Sequence, residues 1–491
     1  MPRRRGAAAP PFADLILNLH NQFAEIPGAD WRALCWYGAA RAAGALRIVR
    51  NSPGPPAHGL AAADPGVSLV IPSRNGRRLL EAQLPGIVRD LAALPAEILI
   101  VDNGSDDGTA EWLRAASPQA LVEISAEPLS FARAVNRGIA RARYSHICLL
   151  NNDMLLEPGF FAALLRAFDA VPDLFCATAQ IRFPGGVRRE ETGKAVMAQH
   201  SPEDFPVRCD EPLLGEDGTW VLYGSGGCSL YDAAKLRALG GADEAYAPAY
   251  VEDLDLGYRA WQRGWPTVYT AAALVEHGHR ATTSRYYTQL ELEEILEVNY
   301  LRFLARAVAD PKLFRRLWGQ ALRRLLRGAS RTPAFRHALA AAAQIALAGA
   351  EQPSRGFPSL TRPDAEESFL ALTDGSVAVF PGRAASGKPR VLVVGSRLPL
   401  PLALAGRDQI LVGFADQWVA PPAETLGICL EAVLVRRGAN SAFRAALRQT
   451  VAKWRPETAY LDDTLMAPYA ADCEFAGNHA IHCGFPLQTT K

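Results

Sequence analysis

From Val67 onward, short apolar runs alternate with amphipathic stretches of helical period. The order is VSLVIP, a helix around 79 to 91, EILIV at 97 to 101, a helix near 110 to 116, LVEIS, a helix over 131 to 143, and SHICLL, which ends at Leu150. Strands separated by helices cannot pair through tight hairpins. They are joined by right-handed crossovers and lie parallel, which predicts an α/β fold around a mixed, mainly parallel sheet. Ligands of such sheets gather at the carboxyl ends of the strands. Ser73-Arg74-Asn75, Asp102-Asn103 and Asn151-Asn152-Asp153 all stand at such ends.

The chain has 491 residues, 49% of them hydrophobic, so it holds more than one core, and roughly three domains are expected. A net charge of +1 gives no bulk field for nucleic acid, and none is expected as a partner. The cysteines are scattered from Cys35 to Cys483, as suits reduced thiols in a cytoplasm better than a stapled secreted domain. The opening MPRRRGAAAPPFADLILNLH lacks the features of a signal peptide, and the apolar run from Ala338 to Ala350 is shorter than the about 20 residues a bilayer requires. The expected location is therefore cytoplasmic, with peripheral contact at the inner face of the plasma membrane as a second option.

Composition divides the chain into a helical segment and Pro/Gly-rich linker at 1–65, a main α/β domain at 66–285, a helical extension at 286–350, a linker at 351–389, and a partial Rossmann-like α/β domain at 390–491, opened by RVLVVGSRLPLP. In the extension, Phe314, Leu317, Trp318, Ala321, Leu322 and Leu325 recur at helical spacing, while Arg315, Arg316, Arg323, Arg324 and Arg327 take other faces. A helix packed on a core, with a solvated back, is the plainer reading of 313–327. A membrane-surface helix meeting anionic lipid is the other.

Two motifs fail on inspection. GRAASGKP has P-loop spacing, but Pro389 stands where a magnesium-binding hydroxyl is needed, and the segment precedes a strand instead of following one. Cys473, His479, His482 and Cys483 have zinc-binding chemistry at a spacing that matches no standard site. The main domain offers more. In EILIVDNGSDDGT, Asp106, Asp107 or Thr109 can cap the next helix, whereas Asp102 lies at the strand end, where a carboxylate can accept from a base or a ribose hydroxyl. In AYVEDLDLGYRAWQRGW, Glu252 and Asp253 fall in a helix's first turn, and Asp255 with Arg259 reads as an ordinary surface pair. In LLNNDMLLEPG an Asx turn suffices to explain the polar stop. Asp153 together with the imidazole of His277, diphosphate oxygens and water would also suit Mn²⁺ or Mg²⁺.

Taken in order, VSLVIPSRNG, EILIVDNGSDDGT, SFARAVNRGI, LLNNDMLLEPG, GGADEAYAPAYVEDLDLGYRAWQRGW and VEHG resemble family 2 glycosyltransferases of the GT-A fold, over Val67 to Arg285. The nearest subgroup is the bacterial rhamnosyltransferase-like set, whose usual metal motif has this Asn-Asn-Asp form. The resemblance implies that Pro72, Ser73, Arg74, Asn75 and Asp102 line a nucleotide-sugar pocket supported by Asn136, and that Asn151 and Asn152 adjoin it. It makes Asp153 and His277 the metal ligands, Asp253 the general base, and Glu252 its positioning partner. The implied reaction is inverting, metal-dependent sugar transfer from a UDP- or dTDP-sugar to a hydroxyl of a glycan or lipid-linked acceptor, in cell-surface polysaccharide synthesis. Gln262-Arg263-Gly264-Trp265 lacks the QxxRW spacing of processive relatives, so non-processive transfer follows. Asn151 removes one negative charge from the commonest metal motif, and Ser130 replaces a frequent Gly. The last segment loosely resembles the amino-terminal half of a GT-B enzyme. Trp220 and Tyr223 are expected to shape specificity. The rival readings are a catalytically silent nucleotide-sugar-binding scaffold and a sugar nucleotidyltransferase.

Overall fold

The computed structural model describes residues 31–47, 63–186, 194–196, 208–278, 285–351, 365–401, 406–462, 464–474 and 480–483. In chain order the first strands are β1 (Asp64–Ser73), β2 (Ala96–Asn103), β3 (Ala120–Ser125), β4 (Tyr144–Leu150), β5 (Met154–Leu156) and β6 (Cys176–Arg182). A separate two-stranded ribbon, β7 (Lys194–Val196) and β8 (Arg208–Asp210), follows, and then come β9 (Trp220–Val221), β10 (Cys228–Asp232) and β11 (Thr267–His277). The main sheet has the order β3-β2-β1-β4-β10-β6-β11-β5, with β9 beside β11. Strands β1, β2, β3, β4, β6 and β11 run one way and β5, β9 and β10 the other, so the sheet is mixed and mainly parallel.

Central strands of such a sheet are covered on both faces and read as continuous apolar runs. Side chains alternate across the sheet, so one strand serves two cores. Val67, Leu69, Ile71, Ile98, Ile100 and Leu150 enter the core on one face, and Val70, Leu99, Ile147 and Leu149 the core on the other. The register sets Ser73 opposite Asp102, and the backbone N–H of Asn151 reaches the Gly227 carbonyl at 2.8 Å just beyond β10. The polar stops of β1, β2 and β4 are thereby brought to one edge.

Helices Trp31–Leu46, Gln289–Ala307, Pro311–Gly328 and Pro333–Glu351 form a layer of their own. In the third of these, Phe314, Leu317, Trp318, Ala321, Leu322 and Leu325 are buried, and the Trp318 indole donates to the Ala40 carbonyl at 3.0 Å. A Cβ at Gly44 would stand 2.6 Å from that indole, so a glycine lets the two helices approach. The basic helix is thus a core helix. The membrane-surface option for 313–327 loses its apolar face, because that face is already covered by protein. Arg324 likewise is no solvated charge: it is buried in an ion pair with Glu297. Among the described residues no helix is long and apolar enough to cross a membrane.

The stretch expected to be a linker at 351–389 instead contains helix Ala365–Leu372 and strand β12 (Val377–Pro381). With β13 (Arg390–Gly395), β14 (Asp408–Ala415), β15 (Glu431–Arg436), β16 (Thr458–Leu461) and β17 (Ala480–Cys483), β12 builds a second sheet of order β12-β15-β14-β13-β16-β17. All pairs are parallel except β12 with β15, a Rossmann-like winding with an antiparallel edge. VAVFP was passed over because a short edge strand flanked by Gly and Pro gives little periodicity. Of the cysteine–histidine tail, Cys473 is buried, whereas His479 and the side chains of His482 and Cys483 lie outside the described residues.

Candidate active site

A cleft of about 340 Å³ opens where β1 and β4 end. Pro72, Ser73 and Arg74 form one side, Asn151, Asn152, Asp153 and His277 the floor, and Phe131, Pro248, Ala249 and Tyr250 the far side, with Tyr286 and Tyr287 at the rim. The floor is held from beneath. Gln83, on helix Arg77–Leu91, donates through Nε2 to the carbonyls of Asn151 at 2.6 Å and Met154 at 2.8 Å, which bracket the turn. Asn152 Nδ2 donates to Ser73 Oγ at 2.8 Å and ties the β4 turn to β1. The Gly278 N–H donates to the Asp153 carbonyl at 2.8 Å and sets the end of β11 beside the same turn.

This places His277 Nε2 3.4 Å from Asp153 Oδ1, with both side chains largely buried. Two donors each about 2.1 Å from one octahedral ion, at right angles, lie about 3 Å apart, so the pair fits neighbouring positions around a hard divalent cation. Among the described residues no group of three or more His, Cys, Asp or Glu gathers to hold a metal.

Arg74 lies with its guanidinium 4.0 Å from the Tyr286 ring centroid, and its buried Nε has no hydrogen-bond partner among the described residues. Asn75 adopts a left-handed conformation (φ 49°) that Asn tolerates better than most residues. It joins three segments: its N–H donates to Ser105 Oγ, its Oδ1 accepts from the Asp106 N–H, and its Nδ2 donates to the Tyr286 hydroxyl at 3.2 Å.

Asp102 and Asn136 are not in the cleft wall. Asp102 is buried and its Oδ1 accepts from the Ser105 N–H at 3.1 Å; its neighbour Asn103, on the alternate face of the strand, meets the cleft instead. Asn136 pins the 242–244 loop, donating to the Ala242 carbonyl at 2.8 Å and to Glu244, and accepting from the Ala242 N–H at 3.0 Å. Trp220 packs in the core as part of β9.

Glu252 and Asp253 begin helix Glu252–Gln262 behind the Pro248–Tyr250 wall. Asp253 Oδ2 accepts from the Gly226 N–H at 3.2 Å and Oδ1 from the Leu254 N–H at 2.8 Å. A Cβ on Gly226 would touch both Asp253 and the cleft residue Phe131, which puts the carboxylate one glycine's width from the cavity. Burial first, and then the neighbouring Asp253, push the Glu252 carboxyl up to about 8, and burial raises Asp253 as well. Glu252 Oε2 has no partner among the described residues. Asp255 and Arg259 prove not to be a surface pair. Both are 0% exposed, 2.7 Å apart, with Arg259 also donating to the carbonyls of Leu239 and Gly241, and Asp255 accepting from the Tyr246 hydroxyl.

Asn103 stands at a strand end that the sequence marks, whereas Gln83, Tyr250, Tyr286 and Tyr287 are not singled out by the sequence. Gln83 left a trace there: it takes one position of the stripe Leu80, Leu84, Ile87, Leu91, where an amide has no place unless it serves a buried partner.

Residues 65–292 match the family described as "Glycosyltransferase like family 2". They form a glycosyltransferase domain of family 2. Outside the family profile, this domain is similar to N-acetylglucosaminyl-diphospho-decaprenol L-rhamnosyltransferase of Mycobacterium tuberculosis, at 28% identity over 229 residues, 41% of this chain and 74% of the relative. It is also similar to validoxylamine A glucosyltransferase of Streptomyces hygroscopicus subsp. jinggangensis, at 26% identity over 252 residues, 46% of this chain and 59% of the relative. Among solved structures, the mannosyltransferase PcManGT from Pyrobaculum calidifontis, in complex with GDP-Man and Mn²⁺, aligns with a TM-score of 0.38 at 17% identity, covering 67% of this chain and 86% of that one. The family 2 domain thus contains the whole cleft and the Glu252–Asp253 pair.

Proposed function

We propose that this glycosyltransferase moves one sugar at a time from a UDP- or dTDP-sugar to a hydroxyl of a glycan or lipid-linked acceptor, with inversion, in cell-surface polysaccharide synthesis. The observation that carries the reading is the Asp153–His277 pair on the cleft, with a buried carboxylate pair at a helix start directly behind its Pro248–Tyr250 wall. Asp153 and His277 would hold a divalent cation, Mn²⁺ or Mg²⁺, whose chemistry is to stabilise charge on the departing diphosphate. Arg74, on the same cleft and with no partner for its Nε among the described residues, would add positive charge beside the same anion. Asn103 and the 72–75 loop border the nucleotide, and Asn151 and Asn152 shape the floor under the sugar. Asp253 takes the proton of the acceptor hydroxyl as it attacks; its raised pKa brings its basicity nearer to neutral working pH. Glu252, in its protonated form, leaves the pair with a single negative charge on the base. Attack from the face opposite the diphosphate needs one base and no covalent intermediate. The rhamnosyltransferase relative is named for a lipid-diphosphate-linked sugar, and the same acceptor class is proposed here.

The test offers a panel of nucleotide sugars with Mn²⁺ or Mg²⁺ and follows nucleoside diphosphate release. Wild type is expected to release it only with metal, and Asp253→Asn to lose at least about 100-fold in kcat. Donor binding without release by wild type, across the panel and with lipid-linked acceptors present, would point to a binding scaffold instead.

A further inference from the structure

Helix Gln289–Ala307 belongs to the helical layer, and most of it lies beyond residue 292, where the family match ends. Its Asn299 is fully buried and faces the catalytic loop. Nδ2 donates to three backbone carbonyls, Tyr246 at 2.8 Å, Ala249 at 2.9 Å and Tyr250 at 3.1 Å. Oδ1 accepts from Arg302 Nη1 at 2.7 Å, so the hydrogen-bond network itself fixes which end of the amide points at the loop.

The loop needs holding. Tyr250 and Val251 have φ of 73° and 77°, consecutive left-handed residues without a glycine, and a β-branched residue is rarely found there. Each such residue is strained and persists only when its surroundings over-determine it. Val251 is also the residue from which helix Glu252–Gln262 starts, its carbonyl accepting from the Asp255 N–H at 2.9 Å. Pro248, Ala249 and Tyr250 wall the cleft, and Glu252 and Asp253 follow directly. A single amide therefore collects carbonyls of the segment that both walls the cleft and leads into the two carboxylates.

We infer that Asn299 is a positioning residue for catalysis, through which the helical layer sets the Pro248–Tyr250 wall and the orientation of Asp253; this rests on the reading of Asp253 as general base. The hydrogen bonds of Asn299 go to Tyr246, Ala249, Tyr250 and Arg302, whereas the Asn151–Asp153 turn is tied to Ser73, Gln83 and Gly278. Replacing the NH₂ by an acceptor of the same shape turns three attractions into repulsions, so Asn299→Asp is the sharpest variant.

The experiment compares wild type, Asn299→Asp and Arg302→Met by nucleotide-sugar kinetics and by amide hydrogen exchange. Asn299→Asp is expected to lower kcat about 10- to 100-fold while the donor KM changes less than about 3-fold, the signature of misplaced reacting groups and not of lost donor binding. Exchange should rise at amides 249–254 and stay unchanged at 150–154. Arg302→Met, which frees Oδ1 and removes a long donation to the Ala245 carbonyl at 3.4 Å, should move both readouts the same way by a smaller factor, and it decides the matter if Asn299→Asp does not fold. Unchanged exchange at 249–254 in a folded variant, or equal losses in kcat and donor affinity, would overturn the inference. If wild type transfers no sugar, the general-base reading fails, and the exchange comparison still decides whether Asn299 holds the loop.

Discussion

Two opposed effects meet at Glu252. The start of a helix favours an anion by about 0.3–1 kcal/mol, while burial beside a second carboxylate disfavours it, and burial wins. Because the folded-state pKa is raised from 4.5 to about 8, the protonated form is the one the fold prefers. Its contribution to stability is complete below about pH 4.5 and is lost as pH rises through about 8. Glu252→Gln should therefore raise the melting temperature more at pH 8.5 than at pH 5; an equal gain at both would show that Glu252 is ionised throughout. Gln83 acts by hydrogen bonding alone. Gln83→Leu would strand the buried carbonyls of Asn151 and Met154, at about 1–3 kcal/mol each. Its expected result is a lower melting temperature together with weaker Mn²⁺-dependent nucleotide binding, read by calorimetry with and without the metal. The Asn-Asn-Asp motif was legible in the sequence because it interrupts an apolar run. The amide beneath it was harder to see, since its partners are backbone atoms far along the chain and backbone carries no sequence signature.

At the level of elements, period-2 and period-3.6 patterns located the strands up to Leu150 and the helices between them, because central parallel strands must be apolar on both faces. The antiparallel insertion of β10 between β4 and β6 was not legible: a five-residue strand says nothing about its neighbours. Charge patterning misled in two places. Asp255–Arg259 has the spacing of a surface pair and Arg324 the company of a solvated face, yet both are buried, Arg324 against Glu297, and burial depends on what packs over a helix, not on its own spacing. Removing one member of such a pair strands a buried charge, so Arg259→Met is expected to destabilise by about 3–5 kcal/mol, well above the effect of an exposed pair. Chemical denaturation would measure it, and a change under 1 kcal/mol would mean that solvent reaches Asp255. The basic helix makes the complementary case. Because Leu317 is buried, Leu317→Ala should lower stability and leave sedimentation with anionic vesicles unchanged.

For the whole molecule, the question is whether the family 2 domain stands alone. Helix Ala365–Leu372 argues that it does not. Phe369 stacks on Trp261 with ring centroids 5.9 Å apart and meets Tyr258 edge-on at 5.0 Å, both rings belonging to the helix that begins with Glu252. Glu366 accepts from Gln262 Nε2 at 2.6 Å and from the N–H groups of Ala309 at 2.8 Å and Asp310 at 2.6 Å, linking that helix to the helical layer. The second sheet adds its own contact, with the Asp217 N–H donating to the Val379 carbonyl at 3.0 Å and the Val379 N–H to Thr219 Oγ1 at 3.2 Å. A segment whose composition reads as a linker thus contributes core side chains against a helix 104 residues earlier in the chain, counted from Gln262 to Glu366, a contact that local pattern cannot announce. Phe369→Ala, by leaving a cavity against Trp261 and Tyr258, is expected to cost about 3–5 kcal/mol. The loss should appear as a lower midpoint of chemical denaturation and as faster exchange in helix Glu252–Gln262, while amides of β13 and β14 in the second sheet keep their protection. If instead only the second sheet loosens, the family 2 domain is self-sufficient, and the helix at 365–372 merely rests on it.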